Sequence, residues 1–255
     1  LKMNLQAKLL ERFLRYVAVT SQSNAAVKTV PTTSGQRELA ELLKTELAEL
    51  GLVDLEISEF SVLTGKLPAN LPAGHHAVPA VGWVAHLDTV DVCLNADIHP
   101  HVVANYQGGD ICLNEEKQIF LKVSEHPEIE KYIGQDIVVS DGTSVLGADD
   151  KAAIANIMVA LETLANDKTI YHGDIYVCFV PDEEIGLLGA KAIDFAKFPV
   201  DFAYTIDCCE QGEVVYETFN AGSAEVYIKG ITAHPMSAKG VLVNPTLVAT
   251  DLVNS

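Results

Sequence analysis

Two short stretches of this chain gather five carboxylates. "GADDKAA" (Gly147 to Ala153) carries Asp149 and Asp150, and "FVPDEEIG" (Phe179 to Gly186) carries Asp182, Glu183 and Glu184. Both stretches lie at the ends of apolar segments, where like charges repel and desolvation is costly. Such a group calls for a compensating positive charge. His86 and Asp88 follow the apolar run "AVGWVA", and Asp207 closes "FAYTI" in the same manner. An imidazole among carboxylates is a donor set for zinc, or for manganese or cobalt. A pair of such ions bridged by a carboxylate is a common hydrolytic arrangement. Metal-bound water has its pKa lowered towards about 7, and a free glutamate nearby can take its proton. Each feature alone has a plainer explanation: Asp149 and Asp150 could cap a helix, and Glu183 and Glu184 could form a solvated turn. A lone His-X-Asp triplet is weak, and Asp207 alone means nothing. Four separate elements delivering acids or histidine from the ends of buried strands favour a metal site.

The elements that must position these residues follow from periodicity. Leu5, Leu9, Leu10, Phe13, Leu14 and Val17 recur at helical spacing, as do Leu39, Leu42, Leu43, Leu47 and Leu50. Ser34 is expected to cap the second helix, and Gly51 to end it. "LVDLEISEF" alternates like a strand, and "AVPAVGWVAHLD" reads as a strand buried on both faces. Residues 91–135 form an irregular excursion before a short strand, "DIVVS". Then follow a helix ("DDKAAIANIMVALETLAND"), a strand ("HGDIYVCFVPDEE"), a helix ("LLGAKAIDFA") and a strand ("VDFAYTID"). Alternating units of this kind predict an α/β fold, a layered sheet with helices on both faces. In open α/β sheets, sites form beyond the carboxyl ends of the strands, which is where the candidate ligands fall. From about Phe219 the character changes: "SAEVYIKGITAH" alternates like an exposed strand, and "NPTLVATDLVNS" starts a helix with Pro245 in its first turn. A first domain is therefore expected over 1–218, and the beginning of a second over 219–255.

The composition, 49% hydrophobic and 20% charged over 255 residues, is that of a folded globular chain. A net charge of −18 makes nucleic acid and anionic membrane surfaces poor partners. No stretch approaches a membrane span. Five cysteines without a CxxC pair favour a reducing compartment, and the cytoplasm is the expected location.

The blocks "AVGWVAHLDTVD", "GTSVLGADDKAAIANIM", "HGDIYVCFVPDEEIG" and "FNAGSAEVYIKGITAHPMSAKGVLVNP" resemble the dizinc metallopeptidase family M20. "YQGGDI" and "HPMSAKGV" narrow the resemblance towards its tripeptide aminopeptidases, and it extends over essentially the whole chain. It implies a layered α/β/α catalytic domain followed by the start of a smaller α+β lid, through which a homodimer forms. It also implies a cytoplasmic zinc aminopeptidase of peptide catabolism, acting on short peptides with a free N-terminus. His86 and Asp207 would bind one Zn2+ and Glu184 the second, with Asp149 bridging the two. Asp88 would orient His86 from behind. A cis peptide would join Asp149 to Asp150. Glu183 would be the general base, and His234 would stabilise the oxyanion in a dimer partner's site.

The family's second metal also needs a histidine near its C-terminus. His75, His76, His99, His101, His126 and His172 lie outside the matching motifs, and no histidine follows His234. The chain is thus expected to be the first part of a longer protein and to be inactive by itself. Cys208 and Cys209 depart from the family's small glycines and read as packing residues. Another activity of the family (dipeptidase, carboxypeptidase or N-acyl amino acid deacylase) remains the alternative.

Overall fold

Helix α1 (Lys2–Val17) and helix α2 (Ser34–Glu49) form where apolar residues recur every three or four positions. The computed structural model describes residues 2–76, 78–208, 210, 212–217, 220–222 and 224–255, with side chains from residue 5 onward. Gly51, with a φ of +86°, ends α2 in a conformation glycine adopts freely. Thr33, rather than Ser34, occupies the N-cap, and it makes no side-chain cap bond. Its hydroxyl donates instead to the Gln22 carbonyl at 2.8 Å, tying the helix start to the preceding loop.

Then come β1 (Val53–Ile57), β2 (Leu63–Leu67), β3 (Val81–His86), β4 (Pro100–Val103), β5 (Ile111–Asn114), β6 (Ile119–Leu121), β7 (Ile137–Ser140), helix α3 (Ala148–Asn166), β8 (Ile175–Val180) and β9 (Phe202–Thr205). The main sheet has the order β1-β2-β8-β3-β9. β8 sits at its centre, antiparallel to β2 and parallel to β3, with Phe179 opposite both Leu63 and Ala85. β9 runs parallel to β3 at the edge. The three parallel strands therefore present their carboxyl ends, at His86, Val180 and Thr205, on one side of the sheet. The excursion after β3 is built from two small hairpin-like pairs, β4 with β7 and β5 with β6.

Helices α1, α2 and α3 (Ala148–Asn166) pack on one face. Leu39, Leu43 and Leu47 of α2 join Ile154, Ile157, Met158 and Leu161 of α3, Tyr16 of α1, and Leu63, Ala85, Val177 and Phe179 of the sheet. The opposite face carries a smaller cluster, Val62, Val84, Cys178, Val180 and Phe198. The helix expected over "LLGAKAIDFA" is a single 3₁₀ turn, Ala190–Ala192. Leu187 has a φ of +59°, and a Cβ on Gly189 would meet the Pro181 carbonyl oxygen at 2.1 Å, so the chain is folded tightly back on the end of β8. Asp194 then accepts the Ala196 N–H at 2.9 Å, a local bond that competes with helix propagation.

The chain divides into two compact units, Leu1–Cys209 and Glu210–Ser255. The boundary expected between 218 and 219 falls on two residues outside those described. In the second unit "AEVYIKGITAH" forms no strand; Ile231 makes only an isolated bridge to Val243. Alternation alone does not supply the partner a strand needs for its backbone groups. Helix α4 (Pro245–Asn254) forms as expected, with Pro245 in its first turn and the Asn244 side chain accepting the Thr246 N–H at 3.0 Å. Among the described residues no helix is long and apolar enough to cross a membrane.

An ion-pair network fastens α1 to α2 and α3. The nearly buried Glu46 accepts Tyr16 Oη at 2.7 Å and Arg15 at 2.8 Å, while Glu162 accepts Arg12 at 2.6 Å and also binds Lys8. Burial raises the Glu162 carboxyl, but the bonds from Lys8 and Arg12 outweigh this and hold it below its ordinary value. A lowered carboxyl stabilises the fold above its ordinary pKa and loses that contribution as pH falls through the lowered one. Glu162→Gln is therefore expected to lower the melting temperature at pH 7. The gap to the parent should close in acid, below the ordinary glutamate pKa of 4.5. A gap independent of pH in thermal melts would show that charge is not the cause.

Candidate metal centre

His86 is the last residue of β3 and is 2% exposed. Its Nδ1–H donates to the Asp88 carbonyl oxygen at 2.9 Å, an atom that can only accept. The Asp88 carboxylate lies beside the same nitrogen at 3.4 Å. Nε2 consequently faces outward, 2.7 Å from Asp149 Oδ1 and 3.9 Å from Asp207 Oδ2. A neutral ring with its proton on Nδ1 would set a lone pair against carboxylate oxygens. Either a proton on Nε2 or a bound cation must lie between them. Burial opposes charge on His86, yet the bond to Asp88 and the charges of Asp150, Asp88 and Asp149 push its pKa up to about 10.

Asp149 and Asp150 stand at a kink before the regular turns of α3, with non-helical backbone angles and a cis peptide between them. The kink sends the two side chains different ways. Asp149 is exposed, whereas Asp150 is 3% exposed and accepts the His86 backbone N–H at 2.9 Å. Burial, together with Asp207 and Asp149, drives the Asp150 carboxyl up to about 8 against the pull of His86. Burial also raises the Asp207 carboxyl, and Asp149 adds to it.

One ligand atom each from His86, Asp149, Asp150 and Asp207 lies within 4.8 Å of the others. An imidazole nitrogen and carboxylate oxygens at this spacing fit a divalent cation such as zinc or manganese. Three of the expected ligands are thus together, and Asp150 joins them. Glu184, expected as a ligand, is not among the four.

Glu183 and Glu184 follow β8 and are half-buried. Their backbone N–H groups donate to the two oxygens of Asp88, at 2.9 Å and 3.2 Å. Asp88, 0% exposed, thereby holds the glutamate turn as well as standing behind His86. Burial raises the carboxyls of both glutamates; for Glu184 the charge of Asp149 is the next cause, and for Glu183 His86 opposes burial while Asp207, Asp88 and Asp149 add to it. His234 belongs to the second unit, where its Nδ1 accepts the Met236 N–H at 3.3 Å.

Asp150, counted among the five acids but given no ligand role, is a member of the group. Lys151 had been overlooked: fully buried, it donates to the Val19 carbonyl at 2.7 Å; a charge inside the apolar pattern of α3 was its signal. Cys208, expected to be packed, is exposed, as is β9 just before it, and Cys209 lies outside the described residues.

The profile of Peptidase family M20/M25/M40 matches residues 146–251. A peptidase T-like protein of Yersinia pestis is 56% identical over 250 residues, 98% of this chain and 59% of that protein. Peptidase T of Clostridium botulinum (strain Okra / Type B1) is 47% identical over 247 residues, 97% of this chain and 60% of that protein. The chain thus spans about three fifths of the length of these curated relatives. In fold it is similar to the aminopeptidase PepT from Bacillus cereus (TM-score 0.58, 24% identity), covering 98% of this chain and 56% of the other. A tripeptidase from Staphylococcus aureus gives a TM-score of 0.62 at 23% identity, covering 97% and 56%. Over residues 146–251 the chain is similar to peptidase family M20/M25/M40.

Proposed function

We propose that the chain supplies the metal centre of a metal-dependent aminopeptidase that removes the N-terminal residue from tripeptides. The observation that carries this reading is the outward-facing His86 Nε2, set against Asp149 and Asp207. The named activities of the relatives agree with it. A bound zinc, manganese or cobalt ion would polarise the scissile carbonyl and lower the pKa of its water. His86, Asp149 and Asp207 would hold the first ion, and Asp149 with Glu184 the second. Asp88 keeps the imidazole proton on Nδ1 and leaves Nε2 free to bind. Glu183 carries protons: its raised carboxyl is suited to taking one from the nucleophile and returning it to the leaving amine. The negative field of the uncovered carboxylates suits a substrate's α-ammonium group. The lid role of the second unit, its dimerisation and the oxyanion role of His234 belong to the same reading. Free thiols at Cys93, Cys112, Cys178 and Cys208 favour the cytoplasm.

Zinc titration of the chain, followed by calorimetry, is expected to show binding. His86→Ala should weaken it by more than the about 100-fold that loss of an outer partner costs. Equal zinc affinity in both would remove the metal centre. In a form of the protein extended to the length of its relatives, free-amine tripeptides should be cleaved. Cleavage of acylated amino acids in their place would assign another activity of the family.

A further inference from the structure

Asp182 is the one acid of the two motifs that the metal centre leaves unused. It is 0% exposed, yet among the described residues its hydrogen-bond partners are all uncharged. Oδ2 accepts the Thr32 backbone N–H at 2.8 Å, and Oδ1 accepts the Thr32 hydroxyl at 2.5 Å and Gln36 Nε2 at 2.7 Å. Its own backbone N–H donates to Gln36 Oε1 at 2.8 Å. These partners stand 146 and 150 positions away in sequence, on the first turn of α2 and the residue pair before it. Asp182 has a φ of +53°, a left-handed conformation that an aspartate tolerates better than most residues. That reversal turns the chain from β8 into the two glutamates, whose N–H groups are taken by Asp88.

The glutamate turn is therefore gripped from two sides, by Asp88 from the end of β3 and by a Thr32–Gln36 clasp from α2. We propose that Asp182 is a positioning residue: through Thr32 and Gln36 it sets where Glu183 and Glu184 stand relative to His86 and Asp149. This rests on the reading of Glu183 as proton carrier. The clasp needs an acceptor-only side chain, because three donors converge on two oxygens. An asparagine would turn an NH2 group against at least one of them. A small misplacement of a reacting group carries a large kinetic cost, up to about 10²-fold per Å.

The test uses Asp182→Asn, Thr32→Val and Thr32→Ser in zinc-loaded protein, with amide hydrogen exchange resolved by residue. Asp182→Asn and Thr32→Val are expected to accelerate exchange at Glu183 and Glu184 by about 10-fold or more, on the scale of an outer partner's loss. Val177 and Phe179 in β8 should keep the parental rate, and Thr32→Ser should exchange like the parent. In protein extended to the length of its relatives, the first two variants should lose about 10–100-fold in kcat for a tripeptide with KM unchanged. Exchange rising equally at Val177 would reduce the clasp to general stability, and no change at Glu183 and Glu184 would overturn it. A parent that cleaves no tripeptide would sink the peptidase reading and the kinetic half of this inference. The exchange pattern would still decide whether the clasp sets the turn.

Discussion

Glu183→Gln is expected to slow tripeptide hydrolysis by about 10²–10⁴-fold, the range for loss of a general acid–base group, while zinc content stays parental. The substitution keeps the size of the side chain and its hydrogen-bonding reach. What it removes is the ability to take up a proton. The backbone of residue 183 is held by Asp88 through its N–H at 2.9 Å, a bond the substitution does not touch. The turn should therefore stay in place and the ligand group around His86 should keep its geometry. Burial and the surrounding carboxylates raise the Glu183 carboxyl, which matches a base that must later act as an acid. Steady-state kinetics and metal analysis on the same preparation, in protein extended to the length of its relatives, decide the matter. Retained turnover with full zinc would place the proton transfer elsewhere; loss of zinc along with turnover would make Glu183 a ligand rather than a base.

Asp88→Ala is expected to destabilise the metal-free fold by about 3–5 kcal/mol, the cost of stranding buried partners of a charged group. Asp88 has no exposure and serves three clients: His86 Nδ1 and the backbone N–H groups of Glu183 and Glu184. Burial raises its carboxyl, and the bonds from His86, Glu183 and Ser23 overcome that to hold it below its ordinary value. Truncation leaves two amide donors without acceptors and removes the carboxylate 3.4 Å from the His86 ring, whose Nδ1–H keeps the backbone carbonyl of residue 88. Zinc affinity should fall as well, because the ring loses its neighbouring carboxylate and the glutamate turn its anchor. Chemical denaturation of the two proteins measures the first effect and calorimetry the second. A loss below about 1 kcal/mol, the scale of an exposed pair, would mean that Asp88 is dispensable to the fold.

Strand ends and helix starts were legible because apolar runs stop where charged residues begin. His86, Asp149 and Asp207 could be expected at one edge on that ground, as "AVGWVA" and "FAYTI" run parallel and end side by side. The same reasoning missed β2, whose "LTGKL" has neither clean alternation nor a continuous apolar run, though it borders the central strand. It spoke of five acids as one cluster, whereas Asp182 is bound by Thr32 and Gln36, and a pairing across some 150 positions leaves no local trace. The approach of Asp150 to His86, Asp149 and Asp207 goes with a kink in two residues, which periodicity does not encode. The lost helix after Gly186 had a sound apolar pattern but met backbone at Gly189 that only tertiary packing reveals.

The place of β8 in the sheet also governs how the chain comes to be folded during synthesis. β2 and β3 are made early but have no bond to each other, since both pair with β8. Until residue 180 has left the ribosome, each waits with an open edge while the excursion and α3 are added. At about 5–20 residues per second that wait lasts several seconds, long compared with the collapse of a short chain. The nascent protein thus carries β3 without either of its sheet partners for a sizeable part of its translation, a period in which chaperone cover is expected to matter.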